Sequence, residues 1–70
     1  MIRNQIWKYW GGFIVHCSKL ADASRLAGWS GCRVHSEYHF PDGHMERDVF
    51  VPPILKDRAM EAMGLTQVVR

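Results

Sequence analysis

Residues 32–53, CRVHSEYHFPDGHMERDVFVPP, constrain the fold of this chain more than any other stretch. In CRVHSEYHF, Val34, Ser36, Tyr38 and Phe40 alternate with Arg33, His35, Glu37 and His39, the period of a half-buried strand. FPDG is a turn with a mechanism. Pro41 pre-sets its own φ, Asp42 suits the next corner, and Gly43 takes φ > 0. HMERDVFV returns as the partner strand, and Pro52-Pro53 ends it and opens a helix. Two registers compete. A three-residue loop with a glycine bulge pairs Phe40 with His44. Burial prefers Phe40 opposite Met45, Ser36 opposite Val49 and Val34 opposite Val51, at the cost of Glu37 opposite Asp48. A one-residue slip turns every side chain to the other face, so only one register can hold. The burial-driven register is the expectation.

Upstream, IWKYWGGFIVHC admits two readings. As one long strand with a glycine bulge it gives the order β-α-β-β-α with a possible final strand, the ferredoxin-like split βαβ. As a hairpin around Gly11-Gly12 it gives ββ-α-ββ-α, with Trp10 facing Phe13 and Tyr9 facing Ile14. The bulged strand is the leading expectation. Ser18 is a candidate N-cap for KLADASRLAGW, whose Leu20, Ala23, Leu26 and Ala27 follow helical spacing, with Gly28 or Gly31 as the stop. ILKDRAMEAM is a second helix with Leu55, Ala59, Ala62 and Met63 inward. Gly64 ends it, with Leu65 packing back. TQVVR is a short last strand or a frayed tail. Both readings give one α+β domain over residues 1–70: a small antiparallel sheet with two helices on one face.

A 70-residue chain buries only about 60% of its unfolded surface. It is nonetheless 47% hydrophobic with three Trp, so some apolar surface is expected to face another chain, a homodimer being the commonest arrangement. Nine Lys/Arg against seven Asp/Glu give a net charge of +2, without the basic patch of a dedicated nucleic-acid binder. Lys8 and Gly11-Gly12 interrupt the apolar run near the N-terminus, and no stretch approaches the ~20 apolar residues of a membrane span. A cytoplasmic protein with reduced thiols is expected.

Four histidines could carry chemistry. The burial-driven register puts His16, His35 and His39 on the sheet face away from the helices, with His44 in the turn, as a metal or pH-sensing surface. Cys32-x-x-His35 has half the spacing of a zinc knuckle. In the split βαβ, however, Cys17 and Cys32 lie at opposite ends of the sheet, which forbids a shared metal or a disulfide. GWSG lacks the flanking of a nucleophile elbow, and no phosphate-binding glycine loop is present. No enzyme, metal or cofactor is expected.

The aromatics point to partners. Trp7, Tyr9, Trp10 and Phe50, with Arg33, Glu37 and Arg47 fixing register, are the expected partner-binding residues, and Trp10 is the anchor. The expected function is a small non-catalytic protein-binding module, a regulator or inhibitor docking on a macromolecular complex. Phage-encoded anti-CRISPR proteins are one group of such inhibitors. The alternative is a nucleic-acid binder using an aromatic and basic sheet face, although Glu37, Glu46 and Asp48 would repel phosphates there.

Overall fold

Gly11 and Gly12 close a hairpin instead of bending one strand. The computed structural model describes residues 4–67, and in it β1 (Gln5–Tyr9) and β2 (Gly12–Cys17) pair antiparallel. This corrects the bulged-strand reading in favour of ββ-α-ββ-α. The turn itself is Trp10-Gly11. Lys8 faces Phe13 and Tyr9 faces Gly12, in place of the expected Trp10–Phe13 and Tyr9–Ile14 pairs. Gly11 takes φ 75°, the sign that a type II turn needs at its third position. Gly12 is required by packing. A Cβ there would stand 2.5 Å from the Val51 carbonyl oxygen and 2.7 Å from Phe50 Cζ. The ring of Phe50 lies over this bare position.

The chain continues through α1 (Leu20–Ala27), β3 (Arg33–His39), β4 (Met45–Val51), a 3-10 turn (Pro53–Leu55), α2 (Lys56–Met63) and β5 (Thr66–Gln67). The sheet order is β3-β4-β2-β1-β5, antiparallel except that the two-residue β5 runs parallel to β1. Strand β4 lies between β2 and β3, which are parallel to each other. Hence β2-α1-β3 is a split βαβ unit after all, with β1 added on the outer side of β2. Of TQVVR, Thr66–Gln67 is strand, and residues 68–70 lie outside the described residues.

Both helices pack on one face of the sheet. Ile6, Val15, Cys17, Val49 and Val51 point from the strands toward Ala23 and Leu26 of α1 and Ala59 and Met63 of α2. The small Ala23 and Ala59 let each helix approach the strands closely. Leu26 is fully buried, which is worth about 1.5–3 kcal/mol relative to exposure. Leu20 and Ala62, expected inward, are exposed, while Leu55 and Met60 pack at the margin of the core. Each helix has only eight residues, too few for a stripe broader than two or three positions.

The helix ends follow local chemistry. Lys19, not Ser18, is the N-cap of α1, and it makes no side-chain cap bond. The Ser18 backbone N–H and hydroxyl donate to Asn4 Oδ1 at 3.1 and 3.3 Å, and Asn4 Nδ2 donates to Asp22 at 3.1 Å. Asn4 therefore ties the start of β1 to the β2–α1 junction. Helix α2 ends at Gly64 (φ 60°, ψ 47°), where the Leu65 N–H donates to the Met60 carbonyl at 3.1 Å and Leu65 packs on the core, as its sequence implies.

Replacing Gly12 by Ala forces the Val51 backbone or the Phe50 ring to move. The G12A variant is expected to lose about 1–3 kcal/mol, the usual range for overpacking. Urea denaturation measures it, and an unchanged midpoint would contradict the packing described.

Candidate functional site

The β3–β4 hairpin keeps the register of its turn. The Phe40 N–H donates to the His44 carbonyl at 2.9 Å, and the Gly43 N–H to the Phe40 carbonyl at 3.0 Å, with Gly43 at φ 88°. His39 then pairs with Met45, Tyr38 with Glu46, Glu37 with Arg47 and Ser36 with Asp48. The burial-driven register is thereby corrected, and the Glu37–Asp48 repulsion that it carried is replaced by an ion pair, Arg47 Nε to Glu37 Oε2 at 2.6 Å. A bulge follows between Val34 and Ser36, so that Val34 pairs with Val49 and His35 is the extra residue. Strand β3 is an exposed edge, not the half-buried strand expected: Val34, Tyr38 and Phe40 are all about two-fifths exposed.

The bulge decides what stands on the helix-free face. His35 and Ser36 both lie there. The His35 ring meets Ser36 Oγ at 2.8 Å and the Tyr9 hydroxyl at 2.9 Å. Tyr9 reaches it from β1, three strands away, from the position where it pairs with Gly12. Phe50 lies beside Tyr9 (centroids 6.4 Å apart), and the Arg33 guanidinium covers the Phe50 ring at 5.0 Å. His39 does not join this face. It shares the Met45 and Arg47 side and bonds Glu37 at 2.7 Å.

The lower half of the face is built around His16. Its Nδ1 lies 2.7 Å from Asp48 Oδ1 and its Nε2 lies 2.6 Å from Glu46 Oε1. Ionised carboxylates only accept, so both contacts are hydrogen bonds at once only when both ring nitrogens carry a proton, the imidazolium form of His16. The Tyr38 hydroxyl donates to Asp48 Oδ2 at 2.7 Å, and His44 Nε2 bonds Glu46 Oε2 at 2.8 Å. Trp7 stacks at 6.5 Å and Tyr38 leans at 5.9 Å from the His16 ring. Asp48 and Glu46 are only 5% and 9% exposed. Burial alone would lower the His16 pKa, but the hydrogen bonds to Asp48 and Glu46, with their charges, outweigh it and hold the pKa above 6.5. Hydrogen bonds from His16 and then His44 hold Glu46 below the usual carboxylate value. The bond to Asp48 raises Tyr38.

The sequence-predicted partner residues are thus divided among three places. Trp7, Tyr9, Arg33 and Phe50 share the helix-free face. Glu37 and Arg47 pair with each other on the opposite face. Trp10 stands alone at the hairpin tip, 90% exposed. Ile54, 88% exposed in the 3-10 turn, was not anticipated. The only sequence signal for it is its position just after Pro52-Pro53, where the turn cannot bury it. Cys17 and Cys32 are free thiols at opposite ends of the sheet. Burial, with the charges of Asp22 and Asp48, pushes Cys17 up to about 12, and burial also raises Cys32. Both are therefore poor nucleophiles at neutral pH. Among the described residues, no group of three or more His, Cys, Asp or Glu is placed to hold a metal ion, and no helix is long and apolar enough to cross a membrane. No protein-family model, curated protein or solved structure matches the chain significantly.

The His16 cluster sets a pH dependence. A pKa raised on folding contributes stability that is fully present below the unfolded value, 6.5 for His16, and is lost as pH climbs through the folded value. A pKa lowered on folding, as for Glu46, contributes stability present above its unfolded value of 4.5 and lost as pH falls through the folded value. Thermal stability is expected to be greatest between these two limits and to decline as pH rises above 6.5. The alkaline decline should flatten in H16Q. A Tm that rises from pH 6 to 8 in the parent chain would refute the imidazolium assignment.

Proposed function

We propose that this chain is a non-catalytic protein-binding module that docks by the end of the sheet bearing Trp10 and acts sterically, as a regulator or inhibitor of a larger complex. The exposure of Trp10 carries this reading. A tryptophan that is 90% exposed gains almost nothing from its own fold. It sits on a two-residue turn whose flanking backbone is fixed by the hairpin, so presenting it to a pocket costs little ordering. Ile54 lies at the same end, because Phe13 pairs with Val51 and the chain turns there through Pro52-Pro53. Two large exposed apolar side chains at one end have the composition of an interface centre. Inhibition of the anti-CRISPR kind is one role that such a plug would fill. A second copy of this chain is another candidate partner, read directly by sedimentation.

A tagged pull-down from cell lysate, with and without nuclease, tests the proposal. A protein captured in near-equal amount, retained after nuclease and lost with Trp10→Ala, is the expected result. The loss should exceed about 30-fold in affinity, the effect of removing a hot-spot aromatic. The Tm of the variant should be unchanged. Capture that survives Trp10→Ala, or material that nuclease removes, would overturn it.

A further inference from the structure

The charges of this protein are sorted along the strands. At the end that holds the β3–β4 turn and the start of α1, the acids are neutralised or hydrogen-bonded. Asp22 meets Arg25 and Asn4, Glu37 meets Arg47 and His39, Glu46 meets two histidines, and Asp48 meets His16 and Tyr38. Asp42 accepts the His44 N–H in the turn. The end that holds Trp10 and Ile54 is different. Lys8, Arg33, Lys56 and Arg58 gather there, and none of them makes an ion pair among the described residues. Three of them rest on aromatic rings instead: Arg33 over Phe50 at 5.0 Å, Lys56 over Phe13 at 5.0 Å and Arg58 over Trp29 at 5.2 Å. Two acids share α2 with Lys56 and Arg58, Asp57 between them and Glu61 one turn on, and neither makes an ion pair among the described residues.

Resting on the docking reading above, we infer that the partner is a protein presenting an apolar pocket rimmed by carboxylates. Two apolar side chains, Trp10 and Ile54, stand at one end with four cations that have no carboxylate partner among the described residues. That is the arrangement of an interface centre with a charged rim, and its complement is acidic. The cation–π contacts hold three of the cations in place before binding, which lowers the ordering cost. The same contacts argue against single-stranded nucleic acid. Base stacking along a strand needs successive free ring faces, and with Phe50, Phe13 and Trp29 each covered on one face by a cation, Trp10 is the one ring at this end, among the described residues, that stands open in solvent.

NMR titration of the intact, 15N-labelled chain with three defined probes tests this. The random copolymer poly(Glu,Tyr) supplies carboxylates with aromatic groups, poly(Lys,Tyr) reverses the charge, and single-stranded oligo(dT) supplies phosphates. Poly(Glu,Tyr) is expected to move the Trp10 indole N–H and the amides of Lys8, Arg33, Ile54, Lys56 and Arg58, while poly(Lys,Tyr) leaves them in place. Lys8→Gln with Arg58→Gln should weaken poly(Glu,Tyr) binding about tenfold, whereas Lys19→Gln with Arg25→Gln, at the other end, should not. If Arg58→Gln lowers the Tm, Lys8→Gln alone and a salt titration give the same reading. No shift at this end, or equal shifts with poly(Lys,Tyr), overturns the acidic partner. Trp10-dependent capture of a protein would still leave the docking proposal standing in that case. Tighter binding of oligo(dT) than of poly(Glu,Tyr) overturns both.

Discussion

His16 joins the two central strands of the sheet through both ring nitrogens, to Asp48 on one side and Glu46 on the other. Two eight-residue helices cover one face of the sheet, and the described chain has no third layer for the other. That face must be closed by its own side chains. An apolar closure would leave a large greasy patch on a small protein. The chain instead places two carboxylates there at 5% and 9% exposure and compensates them with one imidazolium, a second histidine and a tyrosine hydroxyl. Carboxylates this buried are costly without such partners. Among the described residues, no buried side-chain nitrogen or oxygen lacks a hydrogen bond. His16 is therefore the shared hydrogen-bond partner of the two carboxylates buried on the uncovered sheet face.

Much of this architecture was legible in the sequence, and the parts that were not share a cause. The alternation around FPDG identified β3 and β4, and Gly64 with Leu65 marked the end of α2. Each is a local signal, set by residues close together in the chain. The register of β3 was misjudged because burial was given precedence over turn chemistry. Gly43 at φ 88° fixes the pairing next to the turn, and the bulge at His35 changes the parity afterward, so both pressures are met on different parts of one strand. No composition rule marks His35 as the extra residue. Its place depends on Tyr9, 26 positions earlier, whose hydroxyl meets it. Gly11-Gly12 was ambiguous for a similar reason. The choice between bulge and hairpin rests on Phe50 lying over Gly12, a contact between distant residues.

The candidate site shows the same division. Residue type alone made Trp7, Tyr9, Trp10, Arg33 and Phe50 the expected partner-binding residues, and what the structure adds is where each of them stands. Their separation into a face and a tip could not be read without the strand order. Glu37 and Arg47, chosen as charges that fix a partner's register, are occupied with each other at 2.6 Å. An ion pair half-exposed to solvent contributes little to binding energy and serves at most to orient.

The sheet edge gives the last reason to place docking at the Trp10 end. An edge strand ordinarily invites another strand to pair with it, and β3 is the long edge of this sheet. It is also the strand with the bulge, and Arg33, His35, Glu37 and His39 line it. Bulges and charges are the devices that make an edge a poor template for a second chain. On the other side, β1 is partly covered by β5 at Gln5 and Ile6. Backbone pairing is thus discouraged along the full length of β3. Side-chain insertion is not, since the hairpin tip holds a tryptophan in solvent, with cations at the same end that make no ion pair among the described residues. On the docking proposal, the edge resists strand addition while the hairpin tip offers an exposed aromatic on a backbone fixed by its flanking strands. The charge separation on which the proposed acidic partner rests follows in part from the pairing that closes the open face: Glu46 and Asp48 are engaged by histidines, and Lys8, Arg33, Lys56 and Arg58 at the other end make no ion pair among the described residues.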